Sequence, residues 1–89
     1  MTVEENNHSL RERAALGRLL ASAEGYAVFD QEGRHLGRID HVRYESRTDR
    51  PDEIVVRRGR LWKRELVVPF QAVAAVDRTT GTVRLGNDA

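Results

Sequence analysis

The stretch Gly25-Tyr26-Ala27-Val28-Phe29-Asp30-Gln31-Glu32-Gly33-Arg34-His35-Leu36-Gly37-Arg38-Ile39-Asp40-His41-Val42-Arg43-Tyr44-Glu45 decides how this chain folds. Two runs rich in β-branched and aromatic residues flank an acidic-glycine turn, which predicts a strand over Tyr26–Asp30, a turn at Gln31-Glu32-Gly33 and a longer strand over His35–Glu45. Gly33 can take the positive φ that the turn needs. In the long strand the apolar phase passes through Ile39 and then through Val42 and Tyr44, so the alternation slips by one residue near Asp40 and His41. Such a slip predicts a β-bulge or sharp bend, a device small barrels use to curl a sheet.

Working outward, the same texture continues to the C-terminus. Ser46–Asp52 is a polar loop in which Pro51 lacks a backbone donor. Strands follow at Glu53–Arg58 and Lys63–Val68, with a turn at Gly59 between them. Pro69 ends the second of these. Phe70-Gln71-Ala72-Val73 has the look of a single helical turn, ahead of strands at Ala75–Arg78 and Thr82–Leu85 joined through Thr79-Thr80-Gly81. About six short strands with short connections bury an apolar face best when the sheet curls on itself. The expected fold is therefore mainly β, a small closed antiparallel β-barrel, with an open sandwich as second choice.

Upstream of Gly25 the period changes. Ser9 followed by Glu12 has the form of a capping box, and Leu10, Ala14, Leu16, Leu19, Leu20 and Ala23 recur mostly three or four residues apart. One N-terminal amphipathic helix starting at Ser9 is expected, with Gly25 as its stop. This divides the chain into a polar tail plus helix over residues 1–24 and a barrel over residues 25–89. Leu16, Leu19 and Leu20 either cap the barrel in the same chain or form a dimer contact.

At 89 residues the chain has room for one domain. Only 39% of residues are hydrophobic and the mean hydropathy is -0.60, so the core is small. With no cysteine, thiolate catalysis, cysteine-based zinc sites and disulfide support are all removed. Docking of the N-terminal segment, self-association or a partner is left to supplement the core. Met1–Ser9 has neither a basic nor an apolar signal region, and the longest apolar runs are too short for a membrane span. A soluble, cytoplasmic protein is expected. The charge of +1 from 15 basic and 14 acidic groups names no polyanion partner by itself.

The run from Gly25 to Ile39 resembles the opening of PRC-barrel domains: a glycine-led strand, an acidic-glycine turn, then Leu-Gly-basic-Ile. Asp40–Glu45 is similar to that family's second strand and Glu53–Val56 to its third. Leu66-Val67-Val68-Pro69-Phe70 and Val73-Ala74-Ala75-Val76-Asp77 match its Val-Pro step and closing strands. The resemblance covers roughly Gly25–Gly86. It implies a barrel used for protein docking and assembly, as in the cytoplasmic part of the H subunit of purple bacterial reaction centres and the C-terminal domain of a small-subunit ribosome maturation factor. The motifs themselves are scaffold features, and a fold does not fix a function.

No catalytic constellation can be assembled. His8, His35 and His41 lie 27 and 6 residues apart, without the alternation or helical spacing of a metal site. Ser9, Ser22 and Ser46 find no histidine and acid at a triad-like placement, and neither a P-loop nor a dinucleotide fingerprint occurs. No enzyme activity, cofactor, metal or small-molecule substrate is expected.

One local anomaly remains. Arg57-Arg58-Gly59-Arg60-Leu61-Trp62-Lys63-Arg64 places five cations around a tryptophan at a hairpin. Arg57, Arg58, Arg60, Trp62, Lys63 and Arg64 are the candidate partner-binding residues, since arginine forks onto phosphate or carboxylate and an indole stacks on bases. The plainer reading has Leu61 and Trp62 closing the barrel end while the cations keep the hairpin soluble. The sequence thus favours a protein-interaction and self-association module, a homodimer or a binder of another protein. An RNA- or ribosome-associated binder using hairpin 57–64 is the alternative.

Overall fold

The computed structural model of the chain describes residues 3–45, 51–59 and 64–86. Helix α1 spans Val3–Leu20, and six strands follow: β1 Ala27–Phe29, β2 His35–Tyr44, β3 Pro51–Arg58, β4 Arg64–Pro69, β5 Val73–Asp77 and β6 Thr82–Leu85. A single 3-10 turn, Phe70–Ala72, links β4 to β5.

The β1–β2 hairpin forms where the sequence places it. Asp30 Oδ1 accepts the backbone N–H of Glu32 at 2.9 Å and of Arg34 at 2.8 Å, and Gly33 takes φ +85° between them. The slip in alternation is a real bulge. Ile39 pairs with Val56 and His41 with Val55, so Asp40 is the extra residue. The bulge keeps both Ile39 and Val42 on the core side, which strict alternation would forbid.

The six strands form one sheet in the order β4-β3-β2-β1-β6-β5. Two expectations need correction. The sheet is not closed by hydrogen bonds, because β4 and β5 are its two edges, so the closed barrel is not shown. Nor is it wholly antiparallel: β6 returns alongside β1 in the same direction, with Val28 opposite Val83. The 3-10 turn carries the chain from one edge strand to the other, and β5 pairs with β6 rather than with β4.

Boundaries shift as well. Helix α1 begins six residues before Ser9, which therefore lies inside the helix and is not its cap. No proline or glycine interrupts Val3–His8, so nothing in the chain stops the helix from extending. Pro51 is the first residue of β3 and is buried, whereas the sequence placed it in a loop. A strand's first position tolerates proline, whose missing donor costs nothing there. Strand β5 starts two residues earlier than expected.

Leu20 and Ala23 join Val28, Ile39, Ile54, Val56, Val68, Val73 and Val83 in one core, so the helix end and the sheet fold as a unit. Helix α1 packs against the 3-10 turn and the start of β5. Arg13 donates from Nη1 to the Val73 carbonyl at 2.9 Å and from Nη2 to the Phe70 carbonyl at 2.5 Å, and its guanidinium sits 4.3 Å from the Phe70 ring centroid. On its other flank, a Cβ at Gly17 would stand 3.2 Å from the Pro51 ring. The helix therefore touches the start of β3 and the start of β5 together. Arg13 thereby ties the helix to the 3-10 turn and to the first residue of β5, adding a side-chain donor to the Phe70 carbonyl that also accepts the Val73 N–H.

Candidate nucleic-acid interface

Strand register gathers charge at one end of β2, β3 and β4. Arg38 on β2 pairs with Arg57 on β3, and Arg57 pairs with Glu65 on β4. One step along, Arg58 pairs with Arg64. Like charges directly opposite in a sheet disfavour the pairing, so attraction between the paired side chains does not account for two such arginine pairs at one end of the sheet. All four arginines are exposed. Of the sequence candidates, Arg57, Arg58 and Arg64 lie at one end of the sheet, Arg57 on the face of Arg38 and Arg58 with Arg64 on the other, while Arg60, Trp62 and Lys63 lie outside the described residues.

Two residues missed in the sequence join them. Arg38 becomes a neighbour of Arg57 through the register, and Asp40 reaches Arg57 because the bulge inserts it there. The Asp40 carboxylate accepts from Arg57 Nη2 through Oδ1 and from His41 Nδ1 at 2.7 Å through Oδ2. Arg38 turns the other way and donates from Nη1 to the Gly25 carbonyl at 2.9 Å. An open cleft of about 670 Å³ lies here, lined by Gly25, Gly37, Arg38, Asp40, Arg57 and Gly59 together with Glu24, His35 and Ile39. Gly37 sets its depth. A Cβ there would meet the Arg57 carbonyl at 2.3 Å, and its φ is +152°, so the two backbones approach as only glycine permits. The signal for Arg38 and Asp40 was present as the slipped alternation, but assigning partners to a bulged strand needs the register itself.

The His41 hydrogen bond is the largest cause that holds the Asp40 carboxyl below its ordinary value of 3.8; desolvation opposes it, and the charge and hydrogen bond of Arg57 add to the lowering. Asp30 is held low as well, first by the backbone N–H of Arg34. Because both folded values are depressed, their contribution to stability is complete above about pH 4 and is lost as pH falls through the folded values. A carbon-detected NMR titration of the side-chain carboxyls is expected to give Asp30 and Asp40 midpoints under 3.8. A midpoint at or above 3.8 for Asp40 would remove the anchoring assigned to His41 and Arg57.

Other candidates reduce to structure. His35 meets Phe29 edge-on, with ring centroids 5.3 Å apart. Leu20 is buried in the core, whereas Leu16 and Leu19 are half-buried. Among the described residues no group of three or more His, Cys, Asp or Glu side chains is placed to hold a metal ion, and no helix is long and apolar enough to cross a membrane.

The family model of the PRC-barrel domain matches residues 18–89. The chain belongs to the PRC-barrel domain family. The resemblance carried by Gly25–Ile39 and by the Val-Pro step at Val68-Pro69 is thus the correct one. Over 70 residues this PRC-barrel chain is 40% identical to the ribosome maturation factor RimM of Azotobacter vinelandii, a match covering 74% of the chain and 38% of that protein. It is also similar to the crystal structure of a 16S ribosomal RNA processing protein RimM from Pseudomonas aeruginosa, with a TM-score of 0.57, 34% sequence identity and coverage of 74% and 41% of the two chains. The chain spans about two fifths of the length of these relatives. The matching family segment begins at Arg18, so the part of α1 that carries Arg13 lies outside it.

Proposed function

We propose that this PRC-barrel chain is a non-enzymatic binding protein that associates with ribosomal RNA or ribosome-assembly particles in the cytoplasm, through the basic end of β2, β3 and β4. The observation that carries this reading is the 40% identity to a ribosome maturation factor, in line with the structural similarity to a 16S ribosomal RNA processing protein. These findings favour the RNA- or ribosome-associated alternative over the self-association module that the sequence placed first.

Electrostatics supports the same choice. Arg38 and Arg57 on one face and Arg58 and Arg64 on the other share one end of the sheet with Glu24, Asp40 and Glu65, and Arg60 and Lys63 add two further cations between β3 and β4 by sequence. The clustering leaves a local positive excess on a chain whose overall charge is only +1. A polyanion is the partner that rewards such clustering, through release of its counterions. In this reading Trp62 supplies a stacking face beside the cations.

The test is RNA binding as a function of salt. The chain is expected to bind an RNA fragment with an affinity that falls linearly on a logarithmic salt scale. The double variant Arg57→Ala with Arg60→Ala should weaken binding about tenfold or more at low salt and flatten the slope by roughly 1.4, two phosphate contacts on a single strand. Unchanged affinity and slope in the double variant would remove the hairpin from the interface.

A further inference from the structure

We infer that the cleft between Arg38 and Arg57 is a phosphate seat for the RNA backbone, and that Asp40 is the internal anion occupying Arg57 until RNA arrives. The inference rests on the proposed function above and adds to it a particular site, two residues and a competing group.

Three observations carry it. First, Arg38 and Arg57 are directly opposed across β2 and β3, yet each guanidinium is anchored on a different acceptor, Gly25 O for Arg38 and the Asp40 carboxylate for Arg57. Second, the acceptor for Arg57 is the extra residue of a β-bulge, and bulges are a common means of re-aiming a side chain toward a site. Third, Gly25 and Gly59 line the cleft and nothing lies within 4 Å of a would-be Cβ at Gly25, so a ligand there meets open backbone, while Gly37 lets β2 and β3 approach closely beneath it.

The exchange follows from charge. The Arg57 side chain is half exposed and that of Asp40 about one-fifth exposed, so the pair is accessible to a competing anion. A phosphodiester oxygen entering between the arginines can take one arm of Arg57 and one of Arg38. Asp40 keeps its hydrogen bond from His41 as Arg57 leaves it, which limits the loss when the pair opens. With RNA absent, the carboxylate holds the Arg57 guanidinium at the cleft. With RNA present, the same carboxylate is a nearby like charge that opposes binding. Glu24, also on the lining, acts in the same opposing sense.

This account makes a prediction that simple basicity does not: removing an acid at the site tightens binding specifically through Arg57. With the full chain and a short fluorescein-labelled single-stranded RNA, Asp40→Asn should bind about threefold tighter or more, and Arg38→Ala and Arg57→Ala should each weaken binding and lower the salt slope by roughly 0.7. In the double variant Asp40→Asn with Arg57→Ala the gain should disappear. Because Asp40→Asn could disturb the bulge, titration of the unmodified chain with inorganic phosphate gives a second reading. The amide resonances of Gly25, Gly37 and Gly59 should shift and those of Gly81 should not. RNA binding with no response in any of these variants overturns the cleft and leaves the RNA reading standing. Failure of the unmodified chain to bind RNA, or preference for an acidic peptide, overturns both.

Discussion

Replacement of Gly37 by alanine is expected to destabilise the chain by on the order of 4 kcal/mol, a large share of the stability of a domain this small. Two costs combine. The new Cβ would lie 2.3 Å from the Arg57 carbonyl oxygen and 3.0 Å from a Val56 methyl group, and the φ of +152° is one that alanine rarely adopts. Neither neighbour can yield easily, since Arg57 O belongs to the β2–β3 ladder and Val56 is fully buried. Gly33→Ala is the control. Gly33 also has positive φ, at +85°, but nothing lies within 4 Å of its would-be Cβ, so only about 1 kcal/mol of conformational cost is expected. Thermal unfolding of both variants checks the pair, at roughly 4 to 8 °C per kcal/mol for a domain of this size. Equal shifts in the two variants would mean that β2 and β3 do not approach as closely as described.

Leu20→Ala is expected to cost about 3 kcal/mol, the second largest effect. Leu20 is 1% exposed and packs with the strand residues of the same core, so its truncation opens a cavity that a short helix end cannot collapse to fill. Leu16→Ala and Leu19→Ala, at half-buried positions, should cost about 1 kcal/mol each. This ranking also separates two roles for the helix. If α1 packs within its own chain, the Leu20 effect is independent of protein concentration. If it packs against a second copy, the unfolding midpoint of the parent chain rises with concentration. Denaturant unfolding across a range of concentrations distinguishes them, and a concentration-dependent midpoint would contradict the packing of Leu20 in the core of a single chain.

Much of this architecture was legible in the sequence, and the exceptions are instructive. The Gln31-Glu32-Gly33 turn, the bulge near Asp40 and His41 and strand β6 could be read because each is fixed by local chemistry: a glycine free to take positive φ, an out-of-phase apolar pair, a glycine turn. Closure of the sheet could not be read. Whether β4 meets β5 depends on the path of Phe70–Ala72 and on α1 lying against that turn and the start of β5, and no alternation pattern encodes a long-range juxtaposition. Arg13 illustrates the same limit. In the sequence it is one of several helix arginines, yet in the structure it holds the carbonyls of Phe70 and Val73, which lie 57 and 60 residues away. The basic hairpin was visible as composition, but its extension to Arg38 and its restraint by Asp40 come from strand register alone.

The most direct test of the ribosome assignment is sedimentation of the full chain through a density gradient with particles containing 16S ribosomal RNA. The chain should travel with the particles at low salt and should return to the top of the gradient after nuclease treatment or at high salt. Migration at the top under every condition, with the particles intact, would contradict the assignment.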